Sequence, residues 1–246
     1  MAGRIAYYGG IVKDGLVLDL DAAKKESYPG SGTTWFDVSG NNNHFTLYNG
    51  VSFDSLNGGN FSFDGTNDYA RSQNTINLSA CTGITLQAVS KATNLAMLYE
   101  HSLDWNSYPG AFGLSTNSDG YVYTSQSMHF YWNTNNGTSQ GARNFTTTNQ
   151  SSSFFIEHKT LIKNNSDGLQ DYFNGNRVTY ASPWGSGTST IGNTTNFRND
   201  HLYLGSRGGT VAFLQGNIAG ILLYNRPLSA AEITQNYNAL KGRYGL

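Results

Sequence analysis

The stretch that decides the fold is GNIAGILLYNRPLS, residues Gly216–Ser229. Its apolar run Asn217–Tyr224 is bounded by turn residues, which predicts a buried β-strand. A helix should follow directly, because Ser229 can cap it and Glu232, three residues later, completes a capping box. Gly242 is the expected end of that helix.

Working outward from this stretch, the rest of the chain is a series of short apolar runs separated by Gly-, Asn- and Ser-rich turns. Strands are predicted at residues 15–21, 61–64, 69–71, 84–89, 96–99, 111–114, 120–123, 128–132, 154–162, 170–175 and 202–205. Spacing of this kind is typical of a β-sandwich. We therefore predict an all-β fold of two antiparallel sheets with one short C-terminal helix.

Length and composition favour a single folded unit. The chain has 246 residues, an ordinary size for one β-sandwich, and we divide it into an arm at 1–13 and a domain at 14–246. Only 13% of residues are charged and the net charge is −1, which disfavours nucleic acid and anionic lipid as partners. No secretory signal, membrane-inserted segment or internal disulfide is expected, since long apolar runs are missing and Cys81 is the single cysteine.

Four segments resemble the laminin-G-like branch of the concanavalin-A lectin/glucanase superfamily. They are residues 15–40, the strand-turn-strand Phe63–Tyr69, the corner Tyr172–Gly175 and the closing run 216–229. The resemblance implies a concanavalin-A-like jelly roll. Many relatives carry an acidic residue in the last strand, where this chain has Ala219 and Gly220, so no such acid is carried over.

The opening Met1–Ile5 and the loop 28–35 are similar to virion structural proteins of tailed phages. This resemblance implies a non-enzymatic virion surface protein, either a capsid decoration or head-fibre domain or a tail-fibre component. Its expected partners are other virion proteins and a host cell-surface glycan, with a homotrimer as the assembly that virion spikes suggest. It would assemble in the host cytoplasm and be displayed on the virion surface. Candidate interface anchors are Tyr7, Tyr8, Trp35 and Trp184.

Sugar recognition requires flat aromatic rings beside amides and hydroxyls, because a pyranose has an apolar C–H face and a rim of polar groups. The segment 104–135 contains that mixture. Its candidate glycan-contacting residues are Trp105, Asn106, Tyr108, Tyr121, Tyr123, Tyr131, Trp132 and Asn133, with Asn135 beside them. Such aromatics also serve as core or subunit contacts in any sandwich, so both roles stay open.

Catalytic patterns are weak in this sequence. The Glu-x-Asp-x-x-Glu strand of related glycosidases is missing, and the histidines lack the spacing of a zinc protease. Glu100 and Asp104 form the nearest acidic pair. We therefore predict that the chain is not an enzyme, and we keep a free carbohydrate-binding lectin and a divergent glycosidase as alternatives.

The resemblance also implies a calcium site, since laminin-G-like domains often hold Ca²⁺ with one or two carboxylates and backbone carbonyls. Asp64 and Asp68 are the candidate ligands, with Asp54 in reserve. The alternative is that Asp64 and Asp68 cap their own turn through side-chain to backbone hydrogen bonds. No cofactor is otherwise required.

Overall fold

A computed structural model describes residues 10–93, 96–102, 109–116, 127–133, 139–146, 153–165, 168–178 and 195–246. The first strands are β1 (Leu16–Asp21), β2 (Thr34–Trp35), β3 (Phe45–Tyr48), β4 (Ser52–Asp54), β5 (Asn60–Asp64), β6 (Tyr69–Ser72), β7 (Ile76–Asn77), β8 (Gly83–Ala92) and β9 (Ala96–His101). The remaining elements are β10 (Phe112–Thr116), β11 (Ser127–Asn133), β12 (Ser139–Thr146), β13 (Phe155–Ile162), β14 (Leu169–Phe173), β15 (Asn176–Arg177), β16 (Asn199–Asp200), β17 (Leu202–Leu204), β18 (Gln215–Tyr224) and the helix α1 (Ala230–Tyr244). A short 3₁₀ turn covers Leu56–Gly58.

The first sheet has the order β15-β14-β13-β8-β18-β5-β4. Its central strand β18 pairs with β8 along one edge, while its other edge pairs with β5 and then with β1. A β-bulge at Ala219 shifts the register between Ile218 and Gly220. The apolar run Asn217–Tyr224 therefore belongs to the strand around which this sheet is built.

The second sheet has the order β12-β11-β10-β9-β17-β6-β3-β2, and β7 and β16 form a separate two-stranded ribbon. All described pairings in the two large sheets are antiparallel. The sheets enclose one apolar core, so the predicted all-β sandwich with a C-terminal helix is confirmed.

The core between the sheets comes from the inward positions of alternating strand residues. In β1, for example, Leu18 and Leu20 are buried in it, whereas Asp19 and Asp21 lie on the opposite face. The largest side chains of this core are aromatic. They include Trp35, Phe45, Phe61, Phe63, Tyr99 and Phe112, and burial of a large apolar side chain stabilises a fold by about 1.5–3 kcal/mol.

Helix α1 covers the outer face of the first sheet and creates a second apolar layer there. Ile233 packs with Leu222 and Tyr224 of β18, and Tyr244 packs with Val89 and Ile156. The described residues contain no helix that is both long and apolar enough to span a membrane.

The end of α1 differs from the sequence expectation. The helix continues through Gly242 to Tyr244, and Gly245 is the residue that adopts the left-handed conformation, with φ of 70°. The amide of Gly245 donates to the carbonyl of Lys241 in the last turn. The burial of Tyr244 against the sheet explains why the helix runs past the first available glycine.

The last part of the predicted arm lies on the domain's own surface. The amide of Val12 donates to Asn236 Oδ1 at 2.8 Å, and the hydroxyl of Tyr224 donates to the Val12 carbonyl at 3.0 Å. Val12 is thus held between β18 and α1 by two buried hydrogen bonds.

Candidate functional site

Many residues that the sequence singles out lie outside the described residues. These are the candidate sugar contacts Trp105, Asn106, Tyr108, Tyr121, Tyr123 and Asn135, the candidate anchors Tyr7, Tyr8 and Trp184, the acid Asp104 and the predicted strand 120–123. Tyr131 and Asn133 belong to β11, for which the backbone course is described.

Trp132 lies in the core, which corrects its assignment as a sugar-contacting residue. Its exposed fraction is 5%, and its ring stacks on Phe197 with centroids 5.0 Å apart and an interplanar angle of 6°. The pleat of β11 places this position between the sheets, so the ring face that a sugar would need is covered by another ring.

Trp35 is likewise a core residue, which corrects its assignment as an interface anchor. It is fully buried, and its ring centroid lies 4.6 Å from that of Phe61. The two-residue strand β2 pairs Trp35 with Phe45 at the edge of the second sheet. Strand pairing turns the tryptophan inward, and no area remains for a partner subunit.

Asp64 and Asp68 stabilise the turn between β5 and β6 through hydrogen bonds to its backbone. Asp64 Oδ1 accepts from the amides of Thr66 at 2.7 Å and Asn67 at 3.3 Å, while Asp68 Oδ2 accepts from the amide of Asp64 at 3.1 Å. These amides lower the pKa of Asp64, and burial raises the pKa of Asp68.

The reserve ligand Asp54 has a similar local role, because its Oδ1 accepts from the amide of Leu56 at 2.8 Å. The described residues contain no group of three or more acidic, histidine or cysteine side chains placed to hold a metal. The turn between β5 and β6 therefore fits capping better than a calcium site.

Glu100 has a structural role in the described part of the chain. Its side chain is fully buried; Oε2 accepts from the amide of Gly208 at 2.7 Å and Oε1 accepts from the Ser102 hydroxyl at 3.0 Å. It thereby fixes the loop 205–211, which follows β17. A carboxylate held by these donors is poorly placed to serve as a nucleophile or a general acid.

Beside this loop, the outer face of the second sheet carries a group of tyrosines around one arginine. We call Tyr48, Tyr69, Arg71 and Tyr203 the tyrosine–arginine face. Pairing of β3, β6 and β17 brings them together, because Tyr48 lies opposite Tyr69 and Arg71 lies opposite Tyr203. Their neighbours along the strands belong to the core, and strand alternation therefore directs the four side chains outward.

The rings and the guanidinium of this face are in mutual contact. Tyr48 and Tyr69 stack with centroids 4.5 Å apart and an interplanar angle of 8°, and the centroid of Tyr203 lies 6.4 Å from that of Tyr69. Arg71 Nη2 donates to the Tyr48 hydroxyl at 3.2 Å, and its Cζ lies 5.5 Å from the centre of the Tyr48 ring. Such contacts hold the groups in place before a ligand arrives.

The loop 205–211 borders the face on the side of Tyr69. Gly209 has φ of 74°, and a Cβ atom there would lie 3.0 Å from Cε2 and Cζ of the Tyr69 ring. Only glycine allows the loop backbone to approach the ring so closely. Through Gly208, the same loop is tied to Glu100, so the buried acid indirectly supports the tyrosine–arginine face.

The backbone register extends this row toward the segment that the sequence predicts to contact sugar. Arg71 pairs with Tyr203, Tyr203 with Glu100, Glu100 with Gly113, and Gly113 with Tyr131. Tyr131 is therefore at the same level of the sheet as the tyrosine–arginine face.

The chemistry of the face combines apolar surface with directional polar groups. Burial raises the pKa of the Tyr69 hydroxyl, so this group stays protonated and can donate a hydrogen bond at neutral pH. Tyr48, Tyr69 and Arg71 are each partly exposed, whereas Tyr203 is nearly covered. Aromatic ring surface suits the apolar C–H side of a sugar, and phenol hydroxyls and a guanidinium suit its polar groups.

The sequence alone does not predict this group, although it contains one signal for it. In the predicted strand Tyr69-Ala70-Arg71, the two residues that would face outward both have side chains that end in polar groups. Its partner strand β3, with the sequence FTLY, was not predicted because it is short and follows the Asn-rich turn 41–43. Without β3 the pairing of Tyr48 with Tyr69 could not be inferred.

A second unpredicted cluster lies inside the sandwich, where Glu157, Lys159, Asp171 and Tyr99 are each 1% exposed or less. Lys159 Nζ lies 3.1 Å from Asp171 Oδ1. Neither carboxylate oxygen of Glu157 has a hydrogen-bond partner among the described residues. Burial raises the pKa of Glu157 to about 8, against the opposing effect of Lys159. Because Glu157 is fully buried, a substrate cannot reach it, and we assign it a structural role.

Comparison with known proteins finds no matching family model and no matching curated sequence, but it finds solved structures with the same fold. Domain 4 of AbnA, a GH43 extracellular arabinanase from Geobacillus stearothermophilus solved with arabinotriose, has a TM-score of 0.60 and 12% identity over 90% of this chain and 98% of that chain. The binding domain of botulinum neurotoxin DC in complex with SialylT has a TM-score of 0.64 and 15% identity, covering 93% of this chain and 52% of that chain.

A Trypanosoma rangeli sialidase structure has a TM-score of 0.60 and 19% identity, covering 93% of this chain and 33% of that chain. This chain therefore spans about half of the neurotoxin binding domain and a third of the sialidase. At such low identities the likeness shows the fold, a lectin-like β-sandwich, and it transfers no individual residue.

Proposed function

We propose that this chain is a non-enzymatic carbohydrate-binding domain that binds a glycan on its tyrosine–arginine face. The observation that carries the proposal is the convergence of Tyr48, Tyr69, Tyr203 and Arg71 from three adjacent strands onto one outer sheet face. The face offers rings for C–H contacts and hydroxyl and guanidinium groups for sugar hydroxyls.

The structural neighbours support this class of ligand. Domain 4 of AbnA, which is matched over 98% of its length, was solved with arabinotriose, and the neurotoxin binding domain, which is matched over 52% of its length, was solved in complex with SialylT. Fold alone does not establish function, which is why the proposal depends on the residues of the face.

The non-enzymatic part of the proposal is supported by the environments of the acids. Glu100 is bound by Gly208 and Ser102, and Glu157 is fully buried. A glycosidase mechanism that used Glu100 or Glu157 would require that acid to face a substrate. Sugar release from a polysaccharide that is lost in a Glu100→Gln or Glu157→Gln variant would overturn this part.

Binding to a glycan array, followed by calorimetry on the best glycan, tests the site. We expect Tyr48→Ala to weaken binding about tenfold, because it removes ring surface and a hydroxyl near the ligand. Tyr237→Ala, on the helix at the other sheet, is the matched control and should bind like the parent. Circular dichroism and the melting temperature verify that each variant is folded. Equal affinity of Tyr48→Ala and the parent would contradict the site, and silence of the whole array would contradict the function.

We further propose that the domain is carried on the surface of a tailed-phage virion, as a capsid or tail component. The support is the resemblance of the opening Met1–Ile5 and of the loop 28–35 to phage virion proteins. A virion setting would supply other virion proteins and a homotrimeric assembly as partners. Mass spectrometry and immunogold labelling of purified particles test this, and a protein found only free in solution would favour the free lectin.

A further inference from the structure

Arg71 differs from other arginines of this domain in the groups that surround it. Arg226 contacts Asp14 at 2.8 Å and Glu232 at 2.6 Å, and Arg243 contacts Asp21 at 2.7 Å. Arg71 makes no ion pair with any residue that the structure describes; its hydrogen bond goes to a neutral phenol. Among the described residues, no carboxylate therefore lies within ion-pair distance of its guanidinium.

Not all N–H groups of the Arg71 guanidinium have a hydrogen-bond acceptor. Nη2 donates to the Tyr48 hydroxyl, while Nε is buried and has no acceptor among the described residues. A buried donor without an acceptor costs free energy. An incoming anion that draws the guanidinium toward it would remove part of that cost.

The surroundings of Arg71 strengthen its attraction for an anion. Its register partners are Thr46 and Tyr203, and the ring of Tyr48 lies beside it. None of these three groups is a carboxylate. Ring surface also excludes water, which increases the electrostatic interaction between a guanidinium and a carboxylate.

We propose that the glycan bound by the tyrosine–arginine face is acidic and that Arg71 binds its carboxylate. This inference rests on the proposed function and narrows its ligand to sugars with a carboxyl group, such as uronic acids or sialic acids. A guanidinium and a carboxylate have matching geometry for paired hydrogen bonds. The exposed parts of the Tyr48 and Tyr69 rings would contact the apolar side of the same sugar.

The test compares each acidic probe with a neutral partner. Tetragalacturonic acid is compared with its methyl ester, and 3′-sialyllactose with lactose, by calorimetry at low and high ionic strength. We expect an acidic probe to bind about tenfold more tightly than its neutral partner. High salt should reduce that difference, because it screens the ion pair. The two probe pairs distinguish a uronic acid from a sialic acid.

Arg71→Gln should abolish the preference for the acidic probe, so that the variant binds the acidic and the neutral partner of each pair with equal affinity. Arg177→Gln, on the exposed edge strand of the first sheet, is the matched control. If neutral glycans bind as tightly as acidic ones in a Tyr48-dependent manner, the inference is overturned and the proposed function stands. If no glycan of either kind binds, the inference of an acidic ligand and the proposed carbohydrate-binding function are both contradicted.

Discussion

At the scale of single residues, one carboxylate can serve a turn or a metal, and its hydrogen bonds decide between them. Asp64 and Asp68 hold the turn between β5 and β6 through three bonds to backbone amides. Glu100 shows the same principle, since its oxygens are used by Gly208 and Ser102. Sequence identifies such acids as candidates but does not show which donors reach them.

Asp64 provides a prediction at this scale. Asp64→Ala should lower the melting temperature because two amides lose their acceptor, whereas Asp64→Asn should stay close to the parent because its side-chain oxygen still accepts. Melting temperatures measured with calcium and with EDTA should be equal for the parent. A calcium-dependent rise that is lost in Asp64→Asn would show that the turn binds the metal after all.

At the scale of elements, helix α1 depends on its first turn. The Ser229 hydroxyl accepts from the Glu232 amide at 3.3 Å, and Glu232 Oε2 accepts from the Ser229 amide at 2.9 Å. Arg226 forms a hydrogen bond with the same carboxylate, and this bond is the main reason that the pKa of Glu232 falls to about 2. The stability gained from this carboxylate is present above its ordinary pKa of 4.5 and is lost as the pH falls toward 2.

We predict that Ser229→Ala lowers the free energy of unfolding by about 1 kcal/mol, the usual cost of losing an N-cap. Urea unfolding followed by circular dichroism measures the change. Ser31→Ala is the matched control, because Ser31 lies in an exposed loop and its side chain makes no hydrogen bond in the described structure. Equal losses in the two variants would contradict the capping role of Ser229.

At the scale of the whole molecule, buried ionisable groups set the pH at which the sandwich is most stable. Burial lowers the pKa of His158 to about 3 and that of His101 to about 4, from 6.5. Both histidines are neutral when folded, so stability falls as the pH drops below 6.5 and the unfolded chain takes up protons. Glu157 acts in the opposite direction, because its pKa rises from 4.5 to about 8.

Folded Glu157 keeps its proton up to about pH 8, so stability decreases as the pH rises from 4.5 to 8. Below pH 6.5 the two histidines outweigh this effect. The free energy of unfolding should therefore be largest near pH 6.5 and decline toward pH 8. Lys159 and Asp171 lie near the same carboxyl group, and Lys159 moderates the decline.

Urea unfolding of Glu157→Gln across this pH range tests the assignment. The decline between pH 6.5 and 8 should disappear, because the amide cannot lose a proton. Glu26→Gln, at an exposed position, is the control and should retain the decline. A decline that persists in Glu157→Gln would show that another group titrates.

Sequence by itself determined the elements whose signals are local. The apolar run that became β18, the capping box of α1 and the all-β class follow from residues that are neighbours along the chain. Tertiary structure alone decided which aromatic side chains face outward. Trp35 and Trp132 turned inward, while three tyrosines met around Arg71. Strand pairing joins residues that are far apart along the chain, and a one-residue change of register would reverse every face.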